Sequence, residues 1–141
     1  MNAHSPAPLA PASLAAPSLT EADIARVVPA FYAQVRQDAV LGPIFNDAID
    51  DWPDHLDRLQ AFWSSVMLAS GRYKGQPVPA HVKHEARIDP AKFARWLELW
   101  AETTDALLAP EAAAAMQDKA GRIAESLMLA IQFHREREQR H

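Results

Sequence analysis

The chain has 141 residues, enough for one domain with a sizeable core, and apolar side chains make up 49% of it. It has no cysteine, which excludes disulfides, thiolate-ligated haem, iron–sulfur clusters and cysteine-held zinc, so any metal must rest on histidine or carboxylate. A formal net charge of −4 gives no electrostatic reason to bind nucleic acid.

Residues 1–19 are rich in Pro, Ala and Ser, with Pro6, Pro8, Pro11 and Pro17. They lack a basic start and a proline-free apolar stretch, so they do not read as a signal peptide. The expectation is a disordered extension on a cytoplasmic protein. Nowhere does a run approach the roughly 18 apolar residues that cross a bilayer, so no membrane contact is expected.

The domain proper is expected over residues 20–133. Ser18 with Glu21, or Thr20, can cap a first helix, and Ile24, Val27, Val28, Phe31 and Val35 recur at helical spacing. Pro29 should divide that pattern into a short helix and a second one. Leu41-Gly-Pro-Ile-Phe45 reads as a turn that presents Ile44 and Phe45 inward. Asp50 and Asp51 ahead of Trp52-Pro53 mark the next helix, with Leu56, Leu59, Phe62, Trp63, Val66 and Met67 on one face and a stop near Ser70-Gly71.

Residues 71–89 are weakly periodic, with room for one short helix around 78–84. A stretch that long without strong structure tends to be functional or ordered by a ligand. Asp89-Pro90 then opens a helix with Phe93, Trp96, Leu97, Trp100 and Leu107, and Pro110 opens a last one through Met116, Ile123, Leu127, Ile131 and Phe133. Residues 134–141 alternate in charge and read as a solvated helix end or tail. The fold class is all-α, with about five or six helices at typical lengths.

Three constellations can carry chemistry. His81 follows Gln76-Pro77 and Pro79 in a segment too short to be a core helix, and a neutral imidazole there can ligate iron. A surface histidine is the alternative, and His84 can serve in its place. His55 has Leu59, Phe62 and Trp63 at i+4, i+7 and i+8, so it sits at the edge of a buried face, as a hydrogen-bonded core histidine also would. Of Phe31 and Tyr32 only one can face any given way, and a buried tyrosine hydroxyl needs a partner; the donor-only indole of Trp96 offers one, unless both are ordinary core packing. The sequence has no nucleophile elbow, phosphate loop, paired-histidine zinc helix or calcium loop.

Taken in order, these residues resemble a truncated haemoglobin of group III. The resemblance runs through Phe31-Tyr32-x-x-Val35-Arg36-x-Asp38, Leu41-Gly-Pro-Ile-Phe45, Trp52-x-x-His55 and Phe62-Trp63, then Tyr73-x-Gly75-Gln76-Pro77-x-x-x-His81 and Phe93-x-x-Trp96-Leu97. The absence of any Gly-Gly pair also favours group III over groups I and II. The resemblance implies a shortened globin, its helices packed two over two around one b-type haem. His81 would match the proximal iron ligand, and Tyr32, His55 and Trp96 the distal residues. Phe31, Phe45, Leu59, Phe62, Trp63 and Phe93 would wall the haem or its ligand.

Such a site takes oxygen, nitric oxide or carbon monoxide. Donors from Tyr32 and Trp96 would hold bound oxygen tightly, which implies nitric oxide dioxygenase or peroxidase-like chemistry, with a reductase to return electrons, rather than bulk oxygen transport. A monomer or weak dimer is expected. Two other readings stay open: a haem sensor or electron-transfer module, and a helical interaction domain without cofactor.

Overall fold

The computed structural model describes residues 19–75, 81 and 87–139. Among these residues there are five helices and no strand: α1 Glu21–Gln37, α2 Gly42–Ala48, α3 Trp52–Leu68, α4 Pro90–Leu107 and α5 Pro110–Gln139. The expected disordered extension over residues 1–19, apart from Leu19, and the expected short helix around 78–84, apart from His81, lie outside the described residues.

Short-range chemistry starts these helices. Thr20 and Asp23 form a reciprocal capping box on α1, each side chain accepting the other's backbone N–H at 3.1 Å. Asp51 accepts from the Asp54 N–H to cap α3, and Asp89 accepts from the Lys92 N–H to cap α4. Proline stands in the first turn of α2, α3 and α4 and opens α5, where a missing N–H costs nothing. Gly42 is required at the start of α2, because a Cβ there would lie 2.8 Å from the carbonyl oxygen of Arg36.

Three local expectations are corrected. Pro29 does not divide α1, which runs through it. An interior proline costs about 3 kcal/mol. The helix buries Ile24, Val27 and Val28 before it and Phe31, Tyr32 and Val35 after it against one core, at about 1.5–3 kcal/mol for each large apolar side chain. Packing therefore outweighs the lost hydrogen bond. The stretch after Leu41 is a helix, α2, rather than a turn. Finally, Phe133 does not join the buried residues of α5, which runs to Gln139; it stays 59% exposed, capped by the Arg137 guanidinium 5.9 Å from its ring.

The core forms where α1 crosses α4. Phe31 meets Trp100 edge-on at 4.8 Å and Trp96 edge-on at 5.6 Å, and Phe31 and Trp100 are wholly buried. α1 also packs on α2 and α3, while α4 packs on α5. Two polar ties hold this arrangement. Asp38, just past α1, accepts from the backbone of Val40 and Leu41 at 3.0 Å and from the Arg95 guanidinium of α4 at 2.7 and 2.9 Å. Glu21 at the start of α1 accepts from the buried Ser64 hydroxyl of α3 at 2.5 Å and from Arg72 at 2.8 Å. No helix among the described residues is long and apolar enough to cross a membrane.

Arg95 holds the Asp38 carboxyl below its ordinary value, aided by the two backbone N–H groups and opposed by desolvation. Its stabilising contribution is therefore present above the unfolded value of 3.8 and is lost as pH falls through the lower folded value. Asp38→Ala should cost about 2–3 kcal/mol in urea unfolding at neutral pH, and the difference from the parent should shrink on acidification.

Candidate functional site

A cavity of about 890 Å³ opens among the five helices, and Tyr32, His55, His81 and Trp96 all line it. Phe45 comes from α2, Leu59, Phe62 and Trp63 from α3, Phe93 from α4, and Ile123 and Leu127 close it from α5. The cavity is thus mostly apolar inside, with a few convergent polar groups. Its rim is charged. Arg58 pairs with Asp54, Arg72 with Glu21 and Lys92 with Asp89, while Lys74 has no ion-pair partner among the described residues.

Tyr32 is 4% exposed, and burial pushes its hydroxyl up to about 12, with a hydrogen bond from the Trp96 indole N–H acting in the other direction. An indole can only donate, so that bond uses the hydroxyl oxygen and leaves the Tyr32 O–H free to donate. The helical step from Phe31 to Tyr32 settles which aromatic faces the cavity. Tyr32 lines it, whereas Phe31 does not; it lies behind, edge-on to Tyr32 at 4.7 Å and against Trp96. Phe31 thus backs the wall from the core side in this structure.

His55 stands in the first turn of α3, its N–H donating to the Asp51 carbonyl at 3.0 Å. Half-burial holds its imidazole below the usual 6.5, the charges of Arg58 and His81 push the same way, and Asp54 opposes them. His81 is half-buried on the cavity wall and near enough for its charge to be felt at His55. His84 lies outside the described residues. The sequence marks Trp52 as a helix start and part of the Trp52-x-x-His55 motif but not as a site residue, yet its ring sits 6.1 Å from Tyr32 and 5.8 Å from His55, with Arg36 4.5 Å over its face. Its position three residues before His55 on a helix was the available signal.

Among the described residues no three His, Asp or Glu side chains converge on one point as a metal-ion site. A bare ion would find no donor set here. An iron already held in a flat macrocycle needs only one or two protein nitrogens and an apolar slot, which this cavity offers.

No protein-family model matches the chain. The group 3 truncated hemoglobin ctb of Campylobacter jejuni is 35% identical over 91 residues, which are 61% of this chain and 70% of that protein. The chain belongs to the group III truncated haemoglobins. The crystal structure of group III truncated hemoglobin from Campylobacter jejuni agrees, matching with a TM-score of 0.73 at 30% identity over 81% of this chain and 92% of that one. The all-helical architecture is accordingly that of a truncated globin, the two-over-two arrangement expected from the sequence, and membership of the family supports haem binding.

In this globin, His55 should titrate below 6.5 when followed by NMR in the haem-free protein. A histidine with a lowered folded value keeps its full contribution to stability above its unfolded value and loses it as pH falls toward the folded one. The haem-free parent should therefore lose stability below about pH 6.5 more steeply than His55→Asn, as read by urea unfolding across that range.

Proposed function

We propose that the cavity holds a b-type haem ligated through His81, with Tyr32, His55 and Trp96 facing the bound gas. We further propose that the protein uses oxygen or nitric oxide for redox chemistry rather than for bulk transport. One observation carries the reading: a buried Tyr32 hydroxyl lines the same apolar cavity as Trp96, His55 and His81. When bound, the haem supplies an iron that takes a diatomic ligand and exchanges electrons.

The chain's own residues do the rest. Tyr32 keeps its proton at any physiological pH, so it donates to a ligand that gathers negative charge, and charge-assisted bonds of this kind are the strong ones. Trp96 shares its wall of the cavity and can donate its indole N–H to the same ligand. His55, neutral near pH 7, offers one further N–H or lone pair. Phe45, Leu59 and Phe62 exclude water, which strengthens each of these bonds. At the rim, Arg72, Lys74 and Lys92 are the cations suited to the carboxylates that a b-type haem carries.

Tight retention of bound oxygen suits nitric oxide dioxygenase or peroxidase-like turnover, with a reductase returning electrons. This reading places the protein in the cytoplasm as a monomer or weak dimer.

The test is the visible spectrum of the purified protein, ferric, reduced and then exposed to carbon monoxide, for the parent, His81→Ala and His84→Ala. A haem spectrum with a sharp carbon monoxide shift, altered in His81→Ala alone, is the expected result. A parent that takes up no supplied haem would leave the cofactor-free helical domain in its place. Tyr32→Phe should release oxygen about tenfold faster, the loss of roughly 1.4 kcal/mol from one donor. An unchanged off-rate would take Tyr32 out of the site.

A further inference from the structure

Three of the four tryptophans form one continuous stack. Trp63 lies on Trp100 with ring centroids 4.5 Å apart and planes 18° apart. Trp96 lies on the neighbouring indole of Trp100 at 5.8 Å and 3°. The two outer indoles line the cavity, while Trp100 between them is wholly buried and does not. Filling a core needs volume, which leucine or phenylalanine supplies equally well. Three parallel indoles bridging two points of one cavity wall supply something more.

Indole is among the most easily oxidised of side chains, and parallel neighbours share the positive charge that appears when one electron leaves. The polar contacts suit that state. The Trp100 N–H donates to the Met116 carbonyl oxygen at 3.1 Å, and the protonated Tyr32 phenol lies beside Trp96. A carbonyl and a protonated phenol stabilise a positive indole without taking its proton. Neither is a base. An oxidised stack therefore keeps its proton and returns to its starting state on gaining a single electron.

We propose that the Trp63–Trp100–Trp96 stack is a one-electron reservoir for peroxide reduction in the cavity. The proposal rests on the haem reading above. Hydrogen peroxide accepts two electrons and two protons, its O–O bond breaks, and two waters form. One electron comes from the iron and the other from the stack, which becomes an indole cation radical. Two phenol molecules each give back one electron and release one proton, so the net conversion is one peroxide and two phenols to two waters and two phenoxyl radicals.

Freeze-quenched electron paramagnetic resonance of the haem-loaded ferric parent, mixed with hydrogen peroxide, tests this directly. The expected signal is an organic radical whose hyperfine pattern narrows when the protein is grown on ring-deuterated tryptophan and does not change with ring-deuterated tyrosine. Trp100→Phe, which keeps an aromatic ring in the core, should lose most of that signal while retaining its haem and its carbon monoxide spectrum. If that variant does not fold, labelled Trp52→Phe decides, because the label then reports the three stacked indoles alone. A radical that answers only to tyrosine labelling, or no radical in a parent that binds haem and carbon monoxide normally, overturns the reservoir and leaves the haem reading standing. A parent without haem overturns both.

Discussion

The crossing of α1 over α4, where the ring of Phe31 stands perpendicular to Trp96 and Trp100, is the contact from which the rest of this molecule is hung. A helix places consecutive side chains far apart around its axis, so once Phe31 is committed to α4, Tyr32 must turn toward the cavity. The same contact sets Trp96 beside Tyr32. One apolar crossing thereby fixes both donors of the candidate distal side, with no polar residue needed to aim them.

An open cavity inside a small domain needs walls that do not collapse, and the structure reinforces them from behind. Asp38 and Arg95 join the end of α1 to α4 one residue from Trp96, and Arg95 also bonds Glu98 on its own helix. Trp52, sandwiched between Arg36 and the pair Tyr32 and His55, fills the remaining corner. Charged side chains thus appear where they brace the walls, while the interior surface stays apolar. A flat apolar guest could then enter without leaving a buried charge unpaired.

Much of this was legible in the sequence because its causes are local. Caps at Thr20, Asp51 and Asp89 act within three residues, and prolines at helix starts act within one, so the helix starts followed directly. Pro29 misled because the burial that overrides it comes from α3 and α4, which no window around Pro29 contains. Phe133 is apolar but stands two residues past the buried Ile131, about 200° further round the helix, so it falls on the outer face of α5 and off its buried stripe. Tyr32, His55, His81 and Trp96 were readable as candidates by residue type, and the structure sets all four on one cavity. The bracing was not readable: Asp38 and Arg95 are 57 positions apart, and nothing about either residue alone announces the other.

Glu21 brings a different consequence. It is the first residue of α1, yet its carboxylate grips Ser64 near the end of α3 and Arg72 in the segment that leads toward His81. One carboxylate thus holds the start of α1 to the end of α3 through Ser64 and to the segment after α3 through Arg72. Loss of the Glu21 carboxylate would therefore release the end of α3 and Arg72 together.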